Sequence, residues 1–301
     1  MELKAFAPGI YPRSETLVQA TRDLERGRTS PQAVAEQVER DRRELVSVQR
    51  EAGLSLLSDG LLAWQDIFRP LAEAADGLDA RPLTRFLDTN TFYRAVLVNG
   101  EPRLGSPLPA PDLPAGEWVG TLPSPLAFAR AASDAVSAQA LAAEVLAPQI
   151  EAWTEAGASL VVLSEPFAAR EGEVDELLSA LAELPSDVPL ALQLPFADAA
   201  AVLPALAEAP VAAVGVDFYA TSLDAVPSAY PKEILAGVVD ARSSAVESAE
   251  ELSRFAESLA AREPTGIALT PNGDLQFVPE PIAREKLARL GASSAGLAEV
   301  A

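Results

Sequence analysis

Short apolar runs alternate with longer amphipathic runs along the whole of this 301-residue chain, and no other feature restricts the fold as much. The short runs are Lys4–Tyr11, Leu54–Asp59, Trp118–Leu122, Ser159–Leu163, Pro189–Leu194, Ala212–Asp217, Leu235–Asp240 and Gly266–Thr270. Several are apolar at nearly every position and β-branched, as strands covered on both faces must be. The amphipathic runs between them include Ser30–Ala52, Leu126–Ala156, Glu173–Leu184, Ala197–Ala209, Ala245–Ala261 and Pro281–Leu290. Eight strand–helix units in a chain of this length predict an α/β fold, a single (β/α)8 TIM barrel over residues 1–301. A doubly wound open sheet is the alternative; it more often opens on a glycine-rich first turn, and none is present.

One stretch breaks the alternation. Arg81–Pro114 reads as an excursion, with an aromatic β-rich run at Phe86–Val98, an Asn99-Gly100 pair and a proline-rich return. Asn-Gly between apolar runs predicts a hairpin turn there, placed over the C-terminal mouth of the barrel. No internal repeat and no low-complexity linker is visible.

Composition narrows the chemistry. The chain has no cysteine, no histidine and three lysines. Disulfides, cysteine nucleophiles, Ser-His-Asp triads and Cys/His zinc sites are therefore excluded. What remains is carboxylate, guanidinium, hydroxyl, amide and backbone. The net charge of −21 disfavours nucleic acid and anionic membranes as partners. No apolar run reaches the roughly 20 residues of a membrane span, and the N-terminus is too polar for a signal peptide, so the cytoplasm is the expected location.

Barrels of this kind carry function at the C-terminal ends of their strands. Polar residues recur there: Arg13, Asp59, Ser164-Glu165, Gln193, Asp217, Asp240-Ala241-Arg242 and Asn272-Gly273-Asp274. Any one of them reads as a helix cap or turn former. Converging on one mouth, they read as a pocket in which Arg13, Arg94 and Arg242 face Asp59, Glu165, Asp217 and Asp240.

The order of these motifs resembles the C-terminal barrel of cobalamin-independent methionine synthase, nearly end to end. Gly9-Ile10-Tyr11-Pro12-Arg13-Ser14-Glu15 is similar to that family's Gly-Ser-Phe-Pro-Gln-Thr-x-Glu opening. Ser58-Asp59-Gly60 followed by Trp64-Gln65-Asp66-Ile67 is similar to its His-Gly-Glu and Arg-x-Asp-Met run, and Asp88-Thr89-Asn90-Thr91-Phe92-Tyr93-Arg94 to a segment of its short, single-barrel members. Ser164-Glu165-Pro166 stands at Asp-Glu-Pro, Gly237-Val238-Val239-Asp240-Ala241-Arg242-Ser243 at Gly-Val-x-Asp-x-His-Ser, and Pro271-Asn272-Gly273 at Pro-Asp-Cys.

The resemblance implies methyl transfer from a folate-type donor to a thiol such as homocysteine. It also implies catalytic roles for Glu165, Asp240 and Arg242, and substrate contacts from Arg13, Asp59, Asn90, Arg94, Ser164, Gln193 and Asp217. The departures fall on the metal and the substrate amine. The family's zinc ligands, a His-x-Cys pair, an acid and a late Cys, read Gln193, Pro195, Asp217 and Gly273 here. Its amine-binding Asp reads Ser164, the Glu after its His-Gly pair reads Leu61, and its catalytic His reads Arg242. No bound metal is expected. A second reading is a non-catalytic or folate-binding partner for a zinc-bearing paralogous barrel. A third, a carboxylate-only lyase or glycosidase, has less support, because no tryptophan falls clearly at a strand end.

Overall fold

The computed structural model describes residues 3–85, 92–132, 135–172 and 174–298. Its frame is a curled, parallel seven-stranded sheet, with a separate two-stranded antiparallel hairpin. In chain order the strands are β1 (Lys4–Ala5), β2 (Ala75–Arg85), β3 (Phe92–Leu104), β4 (Trp118–Pro123), β5 (Ala158–Ser164), β6 (Leu190–Leu194), β7 (Ala213–Asp217), β8 (Glu233–Val239) and β9 (Gly266–Pro271). The parallel order is β1-β9-β8-β7-β6-β5-β4, and β2 pairs with β3.

The expected eighth strand, Leu54–Asp59, is not a regular strand. It makes one bridge, Leu57 with Trp118. Its backbone nevertheless reaches both sheet edges: Ser55 N–H donates to the Ala5 carbonyl at 2.8 Å and Leu57 N–H to the Glu117 carbonyl at 2.8 Å. The curl is seen in the packing, since Phe6, Val119, Val162, Ala191, Ala213, Leu235 and Ala268 form one buried cluster inside it. A larger apolar layer lies between the outer face of the sheet and the helices.

The helices start where capping residues dictate. Ser30 accepts the Ala33 N–H ahead of the helix Pro31–Ala52, and Gly53 ends it at φ +75°. Ser248 and Glu251 close a capping box on the helix Ala249–Ala260. The expected helix Leu126–Ala156 is divided into Pro125–Ala131, Ala138–Leu141, a π-turn at Ala142–Leu146, and Ala147–Glu155. Pro148 explains the π-turn, because proline cannot donate to the carbonyl four residues back and its ring crowds that turn.

The excursion also differs from expectation. It begins at Ala75, with strands that end at Arg85 and resume at Phe92, and residues 86–91 lie outside the described residues. Asn99 and Gly100 lie within β3. Opposite them a register shift between Asp76 and Leu78 surrounds Gly77 at φ +76°. A Cβ on Gly77 would stand 2.3 Å from the Glu101 carbonyl oxygen, so this bulge requires glycine. The hairpin packs through Val96, which bridges to Ala132, and through Tyr93, whose ring lies 5.1 Å from Phe68.

Candidate functional site

Inside the curl, the positions two residues beyond the apolar cluster are Thr121, Ser164, Gln193, Gly215, Gly237 and Thr270. Strand alternation aims all of them inward. The interior thus changes from apolar to polar towards the C-terminal strand ends. Gly215 leaves space for Gln193, which donates to the Pro271 carbonyl at 3.0 Å, from β6 to the far side of β8, while Gly237 leaves space for Asn272. A Cβ on Gly215 would lie 3.0 Å from Gln193.

Asp217 ends β7 in the same inward phase. Its Oδ1 accepts from Asn272 Nδ2 at 3.1 Å and from the Tyr219 N–H at 2.8 Å. Its Oδ2 is buried without a partner, as is Thr270 Oγ1 on β9. Burial raises the Asp217 pKa, and the Asn272 bond and the more distant Arg242 charge only temper the shift. Asn272 Oδ1 accepts the Ala241 N–H at 2.9 Å, so one amide ties β9 to the loops after β7 and β8.

Above Asp217 sits an aromatic plug. Phe196 holds a left-handed backbone at φ +60°, and its ring is buried. The exposed Arg242 guanidinium lies 4.4 Å from the ring centroid, and Phe277 meets it edge-on at 5.3 Å. Beneath the ring is Gly273, whose added Cβ would come within 2.4 Å of it.

The other expected site residues are dispersed. Glu165 is out of phase with the inward Ser164. Its Oε2 accepts the Ser124 hydroxyl, and its Oε1 accepts the N–H groups of Phe167 at 2.7 Å and Ala168 at 3.0 Å. Complete burial raises its pKa against those donors. Asp240 Oδ1 accepts the Arg242 N–H at 3.0 Å. Asp59 Oδ1 accepts the Leu61 N–H, and burial raises its pKa, with Arg42 among the groups opposing the shift. The half-buried Arg13 has its pKa lowered by desolvation. Arg94 does not face Glu165: its guanidinium reaches the Arg81 carbonyl at 3.4 Å within the hairpin, and its N–H is held by Asp66. Asn90 lies outside the described residues. The mouth therefore gathers Gln193, Asp217 and Arg242, with Ser164 on the same inner face.

The sequence reading passed over a second constellation. Lys286 has no exposed side-chain surface and pairs with Glu247 at 2.9 Å. Glu247 Oε1 also accepts the Asp240 N–H at 2.8 Å and the Tyr219 hydroxyl at 2.7 Å. The signal was present, because Lys286 shares a helical stripe with the buried Ala283, Leu287 and Leu290. Phe196 carried no comparable signal, whereas Asn272 stood among the strand-end polar residues.

The residues at the positions of the family's zinc ligands do not fit that metal. Asp217 is the one ligand type among Gln193, Pro195, Asp217 and Gly273, and zinc sites use three or four protein donors. Among the described residues no group of three His, Cys, Asp or Glu side chains could hold a metal ion. The Phe196 ring fills the space that a side chain at 273 would need.

No known family model matches the chain, and no curated protein sequence does. Solved structures do. A B12-independent methionine synthase from Shewanella sp. W3-18-1, in complex with selenomethionine, matches with TM-score 0.77 and 15% identity, over 100% of this chain and 99% of that one. The chain shares the fold of that structure, here with a curled sheet of seven parallel strands in place of the expected closed barrel of eight. A putative vitamin-B12-independent methionine synthase from Listeria monocytogenes matches with TM-score 0.71 and 14% identity, over 99% of each chain. A methyltransferase from Methanosarcina mazei matches with TM-score 0.55 and 12% identity, over 99% of this chain and 94% of that one.

Proposed function

We propose that this chain is a cytoplasmic, methyltransferase-like barrel that binds an amino-acid-like thiol and a folate-type methyl donor at the C-terminal mouth without zinc. The observation that carries the reading is the full-length likeness to methionine synthase structures, joined to a polar inner layer at the strand ends. Asp217 Oδ2, buried and without a partner, is the acceptor left for a substrate proton. Arg242 is the cation for a carboxylate, which a guanidinium grips bidentately.

In methyl transfer the carbon leaves the donor nitrogen for the acceptor sulfur, and the thiol proton must end on that nitrogen. Asp217, protonated more readily than an ordinary carboxyl group, is the group suited to carry it. The nearby Arg242 charge favours the thiolate. A second reading makes the chain a folate-binding partner for a zinc-bearing barrel. Its support is that the donor set and the space at 273 are both lost here.

Calorimetry with homocysteine and with methyltetrahydrofolate, alone and beside a zinc-bearing barrel, tests both readings. Arg242→Ala is expected to weaken ligand binding about tenfold while leaving the melting temperature nearly unchanged, because a charge-assisted hydrogen bond is worth roughly 1.5–3 kcal/mol. If neither compound binds the wild type in either setting, the functional reading fails and only the fold stands.

A further inference from the structure

A cleft of about 470 Å³ lies behind the rim, between the loops after β7 and β8 and the helix Ala249–Ala260. Its size is that of a small-molecule site. The floor is apolar, from Phe218, Val238, Val246, Leu252 and Phe255, and the Phe218 and Phe255 rings pack at 4.7 Å between centroids. Tyr219 forms a wall and is 52% exposed, one of the few large apolar side chains left open to solvent. That ring is held in place: its hydroxyl donates to Glu247 Oε1 at 2.7 Å, with the Val238 carbonyl a second acceptor at 3.1 Å.

The charged lining has one sign. Asp240, Glu247 and Glu251 face the cleft, and no lysine or arginine lines it. Lys286, fully buried against Glu247, cancels the charge of that carboxylate, so Asp240 and Glu251 are the charges a ligand meets. The helix N-terminus below is closed by its own capping box, so it provides no anion site. Fixed aromatic faces beside carboxylates, over an apolar floor, select an organic cation. The rings attract positive charge through their quadrupole, and the carboxylates supply a second, longer-ranged attraction.

We propose that this cleft is a second binding site, for a small organic ammonium compound with an apolar or aromatic body. The ammonium would sit between the Tyr219 face and the Asp240 carboxylate, with the body on the floor made by Phe218 and Phe255. This inference stands apart from the methyltransferase reading, since it uses neither Asp217 nor Arg242.

The probe is 2-phenylethylammonium, titrated into the full chain by calorimetry beside 2-phenylethanol, phenylacetate and methylammonium. The amine is expected to bind at least tenfold more tightly than the alcohol, with no detectable phenylacetate binding. Methylammonium should bind far more weakly, because it has charge without a body. Val246→Phe fills the cleft without touching the Tyr219 hydrogen bonds and should weaken the amine at least tenfold. Tyr219→Ala should do the same in protein that keeps its circular dichroism. Homocysteine and methylfolate titrations in Val246→Phe separate this site from the mouth. Equal binding of amine and alcohol, equal binding of methylammonium, insensitivity to Val246→Phe, or no binding to the wild type would each overturn the proposal.

Discussion

At Gly273 a single methyl group is enough to disturb the mouth. A Cβ there would stand 2.4 Å from the Phe196 ring, which is held between Arg242 and Phe277 and has little freedom to retreat. Overpacking of this kind costs about 1–3 kcal/mol, so Gly273→Ala should lower the melting temperature measurably. Phe196→Ala removes the obstacle and should make the second substitution cheaper. A double-mutant cycle by thermal denaturation should show coupling above roughly 0.5 kcal/mol, and strict additivity would mean that the ring is not the obstacle. Asp217 and Gln193 were legible as strand-end polar residues, and both lie at the C-terminal ends of buried strands, β7 and β6. Glu165 was misjudged for a physical reason. Val161, Val162 and Leu163 are all buried, so the sequence does not say which of them points inward. The phase decides whether Glu165 meets the interior or the Ser124 hydroxyl, and it meets the hydroxyl.

Among the elements, the central strands were the easiest to read, because a strand covered on both faces is an unbroken apolar run. β4 to β9 fall within two residues of their expected bounds. The first two runs were overread. Past Ala5, Pro8 lacks the N–H that a ladder needs and Gly9 turns to φ +88°, so pairing stops early. In the hairpin, Asn99-Gly100 has turn chemistry but lies opposite the Gly77 bulge, and tertiary pairing overrides the local signal. The C-terminal helix Glu280–Ala298 holds the rim through one buried ion pair. Lys286→Met would leave Glu247 without its cation while Glu247 still has to accept from the Asp240 N–H and the Tyr219 hydroxyl. Removing one partner of a buried pair costs about 3–5 kcal/mol. Chemical denaturation of Lys286→Met should show a loss of that order, and adding Glu247→Gln, which can still accept from both donors, should restore part of it. No loss in the single variant would mean that the pair does not hold the rim.

For the whole molecule, the net charge of −21 and four carboxyl groups with raised pKa act in the same direction. Asp274 carries the clearest shift. Burial pushes it up to about 6, although its oxygens accept from the Ile10 N–H and from Gln276. In the unfolded chain an aspartate titrates near ~3.9. Between those values the native state holds a proton that the unfolded chain has released, so stability rises as pH falls through about 6, and the gain is complete below roughly 4. Asp59, Glu165 and Asp217 are raised by burial and contribute with the same sign. Protonation also relieves self-repulsion among the surface carboxylates. Glu247 opposes this at lower pH: burial pushes its pKa up, but Lys286 and its other donors outweigh burial and hold it below the usual value, so its contribution is lost as pH falls through that depressed value. The melting temperature is therefore expected to be higher at about pH 5 than at about pH 7.5, and to fall again in stronger acid. Asp274→Asn keeps an acceptor for the Ile10 N–H, and the Gln276 amide can turn to meet it. The variant should melt higher than the wild type at about pH 7.5, and its gain on acidification to about pH 5 should be smaller. A wild-type melting temperature that falls steadily between those two pH values would mean that paired carboxylates, not buried ones, govern the stability of this fold.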